Sequence, residues 1–359
     1  MANLAQAIRM ALHYGEENLG LEHIFGEDVG PPLGGAFTVT QGLTTSWNSP
    51  LDERGIVGAS LGLAYANVRH VAEIQFCDYI YNTIDLLKLA GMSTWSTNGD
   101  WMTPMTIMTP VGAGIRGSIY HSHSFDATAT HIPGFKIVMP SNALDAYGMM
   151  IACLKENNPT LYLLPKALIR ADGDEQIPGE PPLTPEGKKE LREMVDMPIV
   201  TSEAHKTWKP KWPKGLTDYT VPFGKGKIVR EGDQVTVVTY GRHVLIARDV
   251  ADKLKEEGIS VEVIDLRTLW PYDWEMISQS IAKTKRVLFV NEDTEVTNFG
   301  EHLLRRTIEE HFYNLHARPR LLAGAFIPGI GLADPLEIAS VPQGSDIERT
   351  IREILDEAP

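Results

Sequence analysis

Twice along the chain, short β-branched and apolar runs alternate with longer segments of helical periodicity. This rhythm restricts the fold more than any other feature. HVAEIQF (70–76), MTIMTPV (105–111), FKIVMPS (135–141) and TLYLLPK (160–166) read as strands. Between them, GIVGASLGLAYA, TIDLLKLAGMS and ALDAYGMMIACLKEN read as helices. The pattern restarts with QVTVVTYG (234–241), SVEVIDLR (260–267), RVLFVNED (286–293) and PRLLAGA (319–325), with helices expected over 243–257, 299–314 and 345–357. Strands separated by helices pair parallel, because the helix carries the chain back to the edge where the previous strand began. The expected class is α/β, with two domains, each a largely parallel sheet flanked by helices.

Residues 171–224 break the rhythm. IPGEPPLTPEGKK and HKTWKPKWPKG are rich in proline, glycine and lysine and hold no sustained period. They read as an extended linker draped over its neighbours, with Trp208 and Trp212 as a second, patch-like reading. The expected division is therefore 1–170, 171–224 and 225–359. A net charge of −14 argues against a nucleic-acid or anionic-membrane partner. No apolar run approaches the ~20 residues that span a bilayer. The two cysteines, Cys77 and Cys153, form no CxxC, so neither a zinc site nor a disulfide framework is indicated, and a cytoplasmic setting is expected.

Three motifs carry chemistry. In SPLDERGIVGASLG (49–62), Ser49 reads as a helix cap, Pro50 as the first helical residue, and Asp52 as the acidic partner in the first turn. Capping does not account for Glu53. Gly55, Gly58, Ala59 and Gly62 beside it leave a flat face for another backbone or a flat ligand, and a carboxylate there suits acid–base work. In GIRGSIYHSHSFDATATHIPG (114–134), His121, His123 and His131 lack the acidic cluster of a metal site and read better as proton-handling residues. Gly112, Gly114 and Gly117 match GxGxxG without the helix that would make it a dinucleotide loop, although their amides suit an anion. In EIQFCDY (73–79), Phe76 and Tyr79 stand at a strand end, where aromatics stack on flat rings. The acidic pair of GEDVG (26–30) reads as a solvated turn.

Taken in order, GEDVG, GAFTVTQGL, SPLDERGIVGASLGLA, AEIQFCDYIYN, IRGSIYHSHS, HIPGFKIVMPS, NNPTLYLLPKALIR and VEVIDLRTLWPYD resemble the beta subunit of the decarboxylating component of 2-oxo acid dehydrogenase complexes, of pyruvate, branched-chain or acetoin type. The resemblance implies a thiamine pyrimidine-binding domain followed by a transketolase C-terminal-like domain. It implies thiamine diphosphate shared with an alpha subunit in an α2β2 heterotetramer, with magnesium held by alpha, and a lipoyl acyltransferase core as acceptor. The Gly-Asp-Gly…Asn signature of the alpha subunit is missing: NGDW (98–101) and DGDE (172–175) do not continue as it does. The chain is then half of an active site and inactive alone.

By the same resemblance Glu53 is the catalytic glutamate at the aminopyrimidine ring nitrogen. Phe76 and Tyr79 flank that ring, and His121 faces the thiazolium and serves lipoyl acylation. A structural potassium, present in some members, implies Thr106, Cys153 and Asn158 as ligands, with Glu156 in place of a usual aspartate. Helix-end capping explains these residues equally well. Departures at Leu86, Leu89, His123, Leu164, Asn291 and the tail 327–343 bear on the substrate and the acceptor. The alternatives are a carboligase-type subunit and a non-catalytic subunit that stabilises a partner.

Overall fold

A computed structural model describes residues 1–198 and 208–357. Residues 1–110, 132–164 and 168–222 pack as one compact unit; 111–131, 165–167 and 223 onward form a second. The histidine-bearing segment 111–131 thus belongs with the C-terminal half, unlike the contiguous division at 170.

The first unit is built on β1 (His23–Gly26), β2 (Ser46–Asn48), β3 (His70–Glu73), β4 (Met105–Val111), β5 (Lys136–Val138) and β6 (Thr160–Pro165). They run in the order β2-β1-β3-β4-β6-β5. The pairs β1/β2, β1/β3, β3/β4 and β5/β6 are parallel. All seven residues of β4 and all six of β6 are buried. Such unbroken apolar strands belong in a sheet covered on both faces. The helices Leu4–Asn18 and Ala143–Lys155 pack against each other, and both bury most of their length. Gly15 permits the approach: a Cβ there would lie 2.6 Å from Leu154.

The stretch read as linker folds onto this unit. Thr184 caps a helix, Pro185–Val195, that the polar composition concealed. The buried guanidinium of Arg9 donates to Thr38 O (3.0 Å), to Val195 O and to Asp196 (3.1 Å). Trp212 stacks on His13 with ring centroids 4.4 Å apart. Trp212 is therefore packed, and it lines one pocket together with the half-buried Trp208.

The second unit is a five-stranded sheet, β12-β11-β8-β9-β7, of β7 (Lys227–Arg230), β8 (Val235–Thr239), β9 (Val261–Asp265), β11 (Val287–Thr294) and β12 (Arg320–Gly324). It is parallel except for β7, which runs antiparallel to β9. β10 (Thr268–Trp270) lies outside it. Val237, Val263, Leu288 and Val290 meet Leu254 and Ile351 from the helices Arg242–Lys255 and Gly344–Asp356 in one core. Both units are largely parallel sheets flanked by helices, as the alternation of patterns required.

Candidate active site

The helix of the SPLDERG motif begins at Glu53 and runs to Tyr65. Asp52, not Ser49, is its cap: the Asp52 carboxylate accepts the Gly55 amide at 3.0 Å. Ser49 and Pro50 lie outside the helix, and the Ser49 hydroxyl donates to Pro50 O. The correction sharpens the separation of the two acids. Asp52 is consumed by the cap, and Glu53 stands half-buried in the first turn, where the helix dipole favours negative charge. Among the described residues, Gly62 has nothing within 4 Å of a Cβ position and Gly58 only Leu86 at 3.8 Å, so these two glycines leave an open face.

Three neighbouring parallel strands end at this place. β2 leads into the loop before Glu53, β1 ends at Gly26 ahead of Glu27 and Asp28, and β3 ends at Glu73 ahead of Phe76 and Tyr79. Gly26 pairs with both Asn48 and Glu73. The carboxyl edge of a parallel sheet is where ligands collect. The helix Glu53–Tyr65 also packs on the turn Cys77–Thr83, tied by Arg54 to Asn82 O (2.9 Å) and to the Asp85 carboxylate. Glu53, Phe76 and Tyr79 are thus brought to one edge. Phe76 and Tyr79 meet edge-on at 6.2 Å, and Phe37 meets Phe76 edge-on at 5.9 Å.

Two acids at this edge escaped the sequence reading. GEDVG is not a simple solvated turn. Desolvation, then the charges of Glu53 and Asp28, raise the affinity of Glu27 for a proton, and one of its carboxyl oxygens is buried without a partner among the described residues. Glu73 is fully buried, and burial pushes it up to about 8, with Asp28 adding to the shift and the Ala36 amide opposing it. A carboxylate that closes a buried strand was the available signal. Phe37 gave none.

His121 lies in the second unit, on the loop after β4. Its Nδ1 is 3.3 Å from Gly117 O, which favours the tautomer with the proton on Nδ1. Gly112 N donates to His123 O at 2.7 Å, closing the loop on itself. Gly114 (φ 95°), Arg116 (φ 56°) and Ser118 (φ 62°) hold left-handed backbone.

Cys153 and Asn158 fall at the end of the helix Ala143–Lys155, and Thr106 stands on β4, bonded to Thr160 just beyond that helix. Thr160 donates to Thr106 Oγ1 at 2.9 Å, and Asn158 donates to Glu156 at 2.9 Å. Burial pushes the Cys153 thiol up to about 12, so it stays protonated beside Thr160. Lys136 pairs with the Glu156 carboxylate, and Arg69 takes the carbonyls of Leu154 and Glu156 (2.5 and 2.7 Å). Internal hydrogen bonds and two side-chain cations account for these groups without potassium. Cys77 and Cys153 are both buried, and neither is in a disulfide. Among the described residues no helix is long and apolar enough to cross a membrane.

Comparisons with known proteins agree with this architecture. Residues 2–172 match the transketolase pyrimidine-binding domain and residues 224–347 the transketolase C-terminal domain. The chain is 36% identical over 321 residues to a 2-oxoisovalerate dehydrogenase subunit beta of Pseudomonas aeruginosa, covering 88% of this chain and 84% of that one. It is 32% identical over 357 residues to the Bacillus subtilis protein of the same name (98% and 97%). It is 31% identical over 328 residues to a pyruvate dehydrogenase E1 component subunit beta of Acholeplasma laidlawii (89% and 88%). A solved split-gene transketolase, an inactive beta4 tetramer, shares the fold along its whole length with a TM-score of 0.66 at 17% identity. Strand order, domain matches and relatives converge: the chain belongs to the family of 2-oxo acid dehydrogenase beta subunits, built from transketolase pyrimidine-binding and C-terminal domains.

Proposed function

We propose that this chain, paired with an alpha subunit that holds the diphosphate and magnesium, catalyses the thiamine-diphosphate-dependent oxidative decarboxylation of a 2-oxo acid and the acylation of a lipoyl group. The carrying observation is Glu53: half-buried in the first turn of its helix, charge-coupled to Glu27, and at the same sheet edge as Phe76 and Tyr79. An aminopyrimidine fits this set. It needs an acid at a ring nitrogen and aromatic edges beside its plane, and the glycine face admits a flat ring. Bound thiamine diphosphate supplies a nucleophilic carbon and an electron sink for decarboxylation.

The residues of this chain do the rest. Glu53 holds a proton at the pyrimidine ring nitrogen. Glu27, whose proton affinity desolvation and the Glu53 charge raise, limits how much negative charge gathers there. Phe76, Tyr79 and Phe37 shield the plane of the ring from water. His121, its Nδ1 directed to Gly117 O, exchanges a proton through Nε2 with the acceptor sulfur during acyl transfer. Branched-chain 2-oxo acids are the first substrates to assay, since two of the three relatives above are named for 2-oxoisovalerate.

The test is co-expression with an alpha chain and assay against a panel of 2-oxo acids. The pair is expected to turn over only with thiamine diphosphate, and this chain alone not at all. Glu53→Gln is expected to lower kcat by about 100-fold or more, the scale of a lost proton-transfer group. Near-parental turnover in that variant would overturn the mechanism.

A further inference from the structure

The loop that carries His121 presents a row of backbone amides, the geometry of an anion-binding nest. Its anions belong to the chain itself. The Glu292 carboxylate, on β11, packs against the loop where a Cβ on Gly112 would stand, and Arg242 bridges it at 2.7 Å. Gly114 N donates to Glu337 at 2.7 Å, and Arg116 N reaches both oxygens of Glu337 at 3.3 Å. Glu337 is 8% exposed, on the short helix Asp334–Ser340 of the tail. That helix grips the loop a second time: the Arg116 guanidinium forms a two-pronged bridge to Asp334, at 2.5 and 2.8 Å. Ahead of the helix, Gly329 sits so close to Ile119 that a Cβ would approach to 2.8 Å. The left-handed backbone at Arg116 costs free energy in a residue with a side chain, so the loop keeps this shape only while its amides are held.

We propose that Glu337 is a positioning residue for His121: its carboxylate accepts the amides of Gly114 and Arg116 in the 112–117 loop and fixes the backbone from which His121 projects. The tail helix is thereby part of the site's scaffold. The functional consequence rests on the role given to His121 above; the contact itself does not.

Two measurements separate the two. In the chain as it stands, Glu337→Gln is expected to speed amide hydrogen exchange in peptides spanning 112–123 by about tenfold, while peptides from β8 and β11 keep their protection. Glu337→Asp, which keeps the charge, is expected to recover part of that protection. Unchanged exchange in 112–123 for Glu337→Gln overturns the proposal. In the pair with alpha, Glu337→Gln is expected to lower the ratio of lipoyl acylation to decarboxylation with an artificial electron acceptor by about fivefold, and to add nothing once His121→Ala is present. Additive losses in that double variant would overturn the coupling to His121. Should His121→Ala alone spare acylation, the role of the histidine falls, and the exchange result still decides the contact.

Discussion

Glu73 shows how one residue can set a pH dependence. It closes β3 with its side chain fully buried, its Oε1 without a partner among the described residues, and the backbone of Gly35 close by. Burial raises its pKa from 4.5 to about 8, helped by Asp28. Between those values the folded chain keeps a proton that the unfolded chain releases. Stability is therefore greatest below the lower value and falls as pH rises through the upper one. Glu73→Gln, which resembles the neutral acid, is expected to come close to the parent near about pH 5 and to gain about 4 kcal/mol on it by about pH 9. Thermal melts across that range check it; a parallel offset at every pH would contradict it. The separation of Asp52 from Glu53 was legible in the sequence because a helix cap explains one acid of the pair and not the other. Glu27 gave no such signal and Glu73 only that of a carboxylate closing an apolar strand, because burial of a carboxylate depends on strands that meet only in three dimensions.

At the scale of elements, the same residue type has opposite meanings in two helices. Gly91 lies in Ile84–Ser96, and a Cβ there would sit 2.3 Å from Pro133 O. Gly91→Ala is expected to cost about 2 kcal/mol or more, against the gain of up to ~1 kcal/mol that alanine usually brings to a helix. Gly62, with nothing within 4 Å, is expected to show that usual gain, roughly 0.5–1 kcal/mol, in the isolated chain. Denaturant unfolding of both variants tests the contrast, and equal signs would refute it. The long apolar runs announced their strands: MTIMTPV is β4 residue for residue. β1 and β2 were missed because they stand among polar and glycine-rich neighbours, whereas the equally short β3 and β5 lie inside the longer runs HVAEIQF and FKIVMPS. The helix Pro185–Val195 was missed because its polar face outweighs Leu191 and Val195, although Thr184 followed by proline marks its start.

Across the whole molecule, the fold class followed from the repeated alternation of strand and helix patterns, whereas the exchange of segments between units did not. Residues 111–131 pack with the C-terminal half because their amides and Asp126 find partners there: Tyr240 donates to Asp126, and Ala127 N donates to Asp293 at 3.0 Å. No local pattern encodes such pairings. Arg9 has a comparable reach. One guanidinium, with its pKa lowered to about 10 by burial and still charged at neutral pH, bonds residues 38, 195 and 196 from the first helix. The segments it joins are far apart in sequence and lose their order together only while that group is present. Arg9 therefore acts on cooperativity as well as on stability. In Arg9→Met the 185–195 helix is expected to come loose before the sheet, so that calorimetry of the isolated chain shows an added low-temperature transition. A single transition, merely shifted downward, would mean that the connector melts with the sheet for other reasons.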